Sequence, residues 1–516
     1  MRDADLVLVD AEIHTMDPEH PLAKGIAFGG GRILGVGTNA QAEKWAGRTT
    51  EIIELGRKVV VPGFIDAHAH LMESAARVSN LDLGGCVSLA AAVETLRRGV
   101  ARAGPQGWLV ADDWDESRWP EGRYLTRNDL DRVSDTIPIA AVRVDRHMAS
   151  VNSVALRVLQ IPLGTRGFEA TASGAPTGVL KEDALERMWD ALWPAPERLA
   201  AGFETVAGRA LSLGITTVHD VVGHDEIRAY QIARAAGALP LRANLLARDA
   251  LLPHLAAVGL MRGFGDEWLR LGGVKVFSDG SLGARTAALE EPYADDPLER
   301  GMLIHPPIEL RNILAGISAA GLPSAVHAIG DRAIEVVIES IESLAIDPGA
   351  RHRIEHAELL HPEQITRMAR LGIVASCQPN FVGNWSLPGG LYERRLGPER
   401  NALNNPYREI LRRGVALAFG SDGMPYGPLE GIHWSVNAPF QGQRLTVDQA
   451  MSAYTLGGAS AGFEEGAKGS LVSGGVADAV VLDGNPWQAP EHIRTMRVSA
   501  TILSGRIAKG NLASSR

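Results

Sequence analysis

Residues 59–70 read VVVPGFIDAHAH: an apolar run, a Pro62-Gly63 break, a second apolar run, and two histidines separated by one alanine. Side chains alternate along a strand, so His68 and His70 fall on the same side of it. The pair is either two metal ligands or two ordinary strand-end histidines, and only partners elsewhere in the chain can decide. The Pro-Gly turn also makes the stretch read as a hinge between two domains.

Downstream, short apolar strands alternate with helix-like segments. The strand candidates are ITTVHD (215–220), RANLLAR (242–248), LGGVKVFSDGS (271–281), LPSAVHAIGD (322–331), RHRIEHAEL (351–359), LGIVASCQPN (371–380) and GVALAFGSDG (414–423). With the opening stretch these make eight β/α units, the pattern of a (β/α)8 TIM barrel within the α/β class. The first connection is anomalous, because about 140 residues separate His70 from Ile215. A connection that long must carry its own structure. An insertion lobe covering the active site is therefore expected over 73–198, with the barrel formed by 59–72 plus 199–464. Five of the ten tryptophans lie in this lobe. Trp114 and Trp119, in DDWDESRWPEGRY, either build its core or cover an apolar substrate.

Both ends of the chain have a different texture. GIAFGGGRILGVG reads as a hairpin around Gly29–Gly31, and RVSATILSGRIAKG as strands around a Ser-Gly turn. Residues 1–58 plus 465–516 are expected to form one small β-sandwich domain built from both termini.

Lys plus Arg is 51 and Asp plus Glu is 61, a formal net charge of −10. That balance argues against nucleic acid or an anionic membrane as a partner. The two cysteines, Cys86 and Cys377, are too few for a disulfide framework. The N-terminus is broken by acidic residues and no apolar run approaches bilayer-spanning length, so a cytoplasmic location is expected. GGGRILGVG sits in a hairpin context and does not open a helix, so a Rossmann-type dehydrogenase reading is unsupported.

Barrel chemistry sits at the C-terminal ends of the strands. Those ends carry His68 and His70, His219, Lys275, His327, His356 and Asp422. HAH, VKVFSDGSLGARTA, VHAIGDRA, RIEHAELL and FGSDGMP, in this order, resemble the amidohydrolase superfamily. The likeness is specifically to the YtcJ-like branch of amidohydrolase family 3, which includes N-substituted formamide deformylases. It extends from PGFIDAHAH through GWLVADDWDESRWPEG to KGSLVSGGVADAVVLDGNP.

The resemblance implies that His68, His70 and Asp422 hold a first metal and that His327 and His356 hold a second. Lys275, converted by CO2 to a carbamate, would bridge the two. A carbamate is an anionic two-oxygen donor, whereas a lysine ammonium is a poor ligand. The imidazole and carboxylate set suits two Zn2+ per chain, with Mn, Fe or Co as alternatives.

Two cations sharing a hydroxide would provide the nucleophile, and Asp422 would be the catalytic residue moving its proton to the leaving nitrogen. The expected activity is hydrolysis of a C–N amide bond in an N-acyl or N-formyl amine bearing an apolar group. A cyclic amide, carbamate or lactone stands as the alternative substrate. A mononuclear-metal deaminase, which needs no lysine at strand four, and a non-catalytic ligand-binding relative are further alternatives. Trp114, His147, His219 and Arg285 are the candidate substrate contacts. A small-molecule amide is the expected partner, and a homodimer is the assembly the relatives suggest.

Overall fold

A computed structural model describes residues 3–103, 107–345 and 347–512. Its centre is one eight-stranded, all-parallel sheet. The strands are Phe64–Ala69, Ile215–Val222, Arg242–Arg248, Leu269–Phe277, Ser324–Ala328, Arg353–His356, Val374–Cys377 and Leu417–Phe419, adjacent in chain order. The eighth strand returns to the first, where the Asp422 N–H donates to the His68 carbonyl at 2.8 Å. The sheet is thus a TIM barrel, as its alternating pattern predicts.

The helices between strands cover the barrel through one apolar stripe each. In Asp331–Ser343, Ile334, Val337, Ile338 and Ile341 are buried at helical spacing against the barrel strands. Burying each such side chain stabilises the fold by roughly 1.5–3 kcal/mol relative to exposure.

Two further sheets form a sandwich. One holds Leu6–Val9, Gly25–Gly29, Arg32–Gly37 and Glu51–Glu54. In the other, Val59–Pro62 lies between Glu12–His14 and the C-terminal strand Ala479–Leu482. Leu8, Ile26, Phe28, Val60, Val481 and Ile502 share its core, so both chain termini supply it. The expected glycine hairpin is present: Gly29 pairs with Arg32, and Gly30 and Gly31 occupy the turn at φ 61° and 77°.

The expected boundary at residue 59 is corrected by this pairing. Val59–Pro62 belongs to the sandwich sheet, and the barrel starts at Phe64. Gly63 makes the crossing, at a point where a Cβ would stand 2.3 Å from Thr216 Oγ1. Only glycine fits so close to the second barrel strand.

The long first connection contains a six-stranded mixed sheet with strands from Leu81–Asp82 to Pro176–Lys181. Trp114 is fully buried in its core, stacked on Trp119 with ring centroids 5.7 Å apart. Its Nε1 donates to the Ala141 carbonyl at 3.0 Å, and Trp119 Nε1 donates to Cys86 at 2.9 Å. Both tryptophans build the lobe's own core. Trp114→Ala is expected to destabilise the lobe by roughly 3–5 kcal/mol, measurable by denaturant unfolding or hydrogen exchange. It should leave kcat/KM of the remaining folded protein within a few-fold of wild type.

No helix among the described residues is long and apolar enough to cross a membrane.

Candidate active site

The C-terminal strand ends bring His68, His70, Lys275, His327, His356 and Asp422 to the floor of one cavity of about 610 Å³. The ligand atoms of His68, His70 and Asp422 lie within 4.8 Å of one another. Asp422 Oδ1 stands 3.1 Å from His70 Nε2 and 3.5 Å from His68 Nε2. His327 and His356 form an adjacent pair with ring centroids 4.4 Å apart, and the His356 ring is 5.1 Å from that of His68. His356 and Asp422 have φ values of 71° and 56°, a left-handed conformation that costs energy for residues with a Cβ. Such strain concentrates where a fold aims side chains for a task.

A layer of buried partners orients the histidines. Glu355 Oε2 lies 2.5 Å from His68 Nδ1, and Glu73 Oε2 lies 3.1 Å from His70 Nδ1. His327 Nε2 donates to the Gly280 carbonyl at 3.0 Å, which leaves Nδ1 with the free lone pair. Imidazole ligands typically use their second nitrogen in this way. Burial pushes the His327 and His356 imidazoles well below their ordinary value, so both are neutral donors. Burial alone would raise Asp422, but hydrogen bonds to His68 and His70 and their charge hold it well below the usual carboxylate range. For Glu355, the Arg353 guanidinium and His68 overcome the burial that would raise it.

Lys275 is the anomaly of the site. It is fully buried, and its Nζ has no hydrogen-bond partner. Burial pushes its ammonium down to about 8, with Glu355 and Asp422 acting in the opposite direction. An unpaired buried ammonium is among the costliest groups a fold can carry. A lysine that has become an anionic carbamate, beside cations held by imidazoles, resolves that cost. His356 Nδ1 is likewise buried without a partner. The donor set and its orphaned atoms therefore fit a divalent metal centre.

Of the four expected substrate contacts, the structure brings one to the site. His147 lines the cavity, with its ring 5.1 Å from that of His327. It stands on the turn between strands Ile139–Arg143 and Met148–Val151 of the insertion lobe. The same turn carries Asp145, which accepts from Ser281 Oγ at 2.8 Å, and Arg146, which pairs with Glu73 at 2.9 Å. Burial would lower the His147 imidazole, but Glu182 and Asp145 raise it to about 9.

The other three are corrected. Trp114 lies in the lobe core, as above. His219 is fully buried inside the barrel, with Nδ1 2.9 Å from Arg353 Nη1, below the cavity floor. Arg285 turns away to Asp295, at 2.8 Å and 3.1 Å, and does not line the cavity.

Sequence reasoning missed the barrel's polar hub. Arg353, in RIEH, donates to the Ala67 carbonyl, Ser376 and Glu355, and Glu355 in turn orients His68. The available signal was the R-x-E alternation. Two charges on the same side of a buried strand can persist only as mutual partners.

Also missed was a second, narrow pocket that opens at His147, His327, His356 and Asp422. Phe381, Trp385, Leu391, Tyr392 and Met424 form its apolar wall. Most of that wall comes from Asn380–Trp385 and Leu391–Leu396, two short helices following the seventh strand.

Comparison with known proteins agrees with this geometry. Residues 51–508 match the profile described as the Amidohydrolase family. The chain is 30% identical to a putative amidohydrolase, YtcJ, of Bacillus subtilis, covering 96% of this chain and 97% of the relative. It is 28% identical to an N-substituted formamide deformylase of Arthrobacter pascens, covering 97% of each. Among solved structures it resembles a metal-dependent hydrolase of Pyrococcus furiosus with a TM-score of 0.75 and 30% identity, over 93% of this chain and 99% of that one.

Proposed function

The chain belongs to the amidohydrolase family and is a metal-dependent hydrolase of carbon–nitrogen bonds other than peptide bonds, and on that premise we propose that it hydrolyses an N-acyl or N-formyl amine carrying an apolar group. The observation that carries the reading is Lys275, fully buried and without a hydrogen-bond partner, facing the same cavity as four histidines and Asp422. A single-metal deaminase has no use for a lysine there. Two zinc ions and a carbamate on Lys275 suit the imidazole-rich donor set. When bound, the metals supply Lewis acidity that makes water nucleophilic at neutral pH and polarises the amide carbonyl.

The rest is the work of the chain's own residues. Asp422 accepts the proton of the attacking water at Oδ1 and delivers it to the departing nitrogen, so that one water and one amide become an acid and an amine. Glu355 and Glu73 hold His68 and His70 in register. Phe381, Trp385 and Tyr392 offer an apolar wall against which the apolar group packs and is shielded from water. The likeness to a formamide deformylase supports an N-formyl amine as one candidate substrate.

Metal content per chain, combined with turnover of a panel of N-formyl, N-acetyl and carbamoyl amines, tests the reading. About two transition-metal ions and hydrolysis of at least one amide class are expected. A purified protein that holds no transition metal and resists reconstitution overturns it.

A further inference from the structure

We propose that the substrate has two arms, an apolar one in the inner pocket and an ammonium-bearing one in the outer mouth, where Glu182 of the insertion lobe binds the cation. This rests on the amide-hydrolase reading and narrows it to a class of N-acyl amine.

Two compartments of different character share six lining residues, Asp145, His147, His327, His356, Asp422 and Met424. The inner one is walled mainly by aromatic and aliphatic side chains, with Glu358 and the Arg143–Asp145 ion pair also lining it. The outer one is strongly acidic: besides Asp422, nine carboxylates line it against three arginines and Lys275. Each arginine is already engaged. Arg146 pairs with Glu73 at 2.9 Å, Arg166 with Asp183 at 2.5 Å, and Arg248 approaches Glu186 at 3.7 Å. A surplus of negative charge remains, and in a walled cleft it raises the local concentration of cations and repels anions.

Within this surplus, Glu182 carries a buried carboxylate oxygen, Oε1, that no hydrogen bond satisfies. Its side chain is only 8% exposed. The nearest cation-competent atom, His147 Nδ1, is 3.8 Å away, beyond hydrogen-bond reach. A Cβ built on Gly280 would stand 2.5 Å from Glu182 Oε1, and the Gly280 carbonyl is the atom that accepts from His327. Glu182 therefore overhangs the proposed metal centre. His147 balances its charge across 3.8 Å, but a buried carboxylate oxygen without a hydrogen bond still costs stability that a bound ammonium would recover. Trp189 and Trp193 line the same mouth. A scissile bond at the junction of the two compartments has substituents on both sides, which favours N-acyl over N-formyl amines.

The test uses phenylacetyl amides whose amine arm ends in an ammonium, a methyl or a carboxylate, together with the mirrored benzylamides, on the metal-loaded enzyme. The ammonium member of the matching set is expected to exceed the methyl member in kcat/KM by about tenfold, and the carboxylate member by more. Glu182→Gln should bring the ammonium-to-methyl ratio to within about twofold of one. Equal rates, or a carboxylate preference, overturn the inference and leave amide hydrolysis standing.

Binding of phenylalkyl ammonium, alcohol and carboxylate compounds by calorimetry reads the same preference without turnover. If no amide is hydrolysed but the ammonium compound binds about tenfold tighter in a Glu182-dependent way, the cation site stands and the reaction assignment falls. Equal binding of the three compounds counts against the cation site.

Discussion

Lys275→Ala is expected to lower bound metal, two ions per chain on the proposed reading, to one or none and to reduce kcat/KM by at least about a thousandfold. Lys275 is fully buried, its Nζ has no hydrogen-bond partner, and it lines the same cavity as the His68–His70–Asp422 cluster and the His327–His356 pair. On the proposed reading, its stem places the anionic carbamate at that position. Truncation leaves a void of the right shape for a small carboxylic acid, so acetate or propionate should restore part of both metal content and rate. Lys275→Arg should not be rescued, because its side chain fills the void and stays cationic. Bicarbonate should speed reconstitution of the metal-stripped wild-type protein. Two metals and a wild-type rate in Lys275→Ala would sink the bridging role.

Asp422→Asn is expected to lower kcat by roughly 10²–10⁴-fold, the scale on which a positioned proton-transfer group acts, with metal still bound. The amide keeps the size of the carboxylate and can still offer one oxygen towards His68 and His70, now 3.5 Å and 3.1 Å away. It cannot accept the proton that the leaving nitrogen needs. The measurement pairs kcat with metal analysis, since loss of metal would point to ligation alone. A variant with bound metal and a near wild-type rate contradicts the proton-transfer role.

Much of the architecture is legible in the sequence because its causes are local. Strand alternation, helical spacing of buried residues such as Ile334, Val337, Ile338 and Ile341, and the Gly30-Gly31 turn each depend on neighbours within a few positions. The eight β/α units, and the placing of His68, His70, Lys275, His327, His356 and Asp422 at strand ends, follow from that periodicity. The assignment of those residues as ligands came from the resemblance to a family.

Only the tertiary structure decided which parts of the insertion lobe reach the site. Trp114 and His147 are both polar-capable residues in one lobe, yet one is packed in its core and the other overhangs the histidines. His219 ends a strand like the candidate ligands but points to Arg353 below the cavity floor, and Arg285 is drawn to Asp295. Glu182 and the Phe381–Trp385–Tyr392 wall face the site from elements far apart in the chain. Such placements depend on how a lobe packs across a barrel mouth, through contacts between residues separated by one to three hundred positions. Local periodicity carries no record of them.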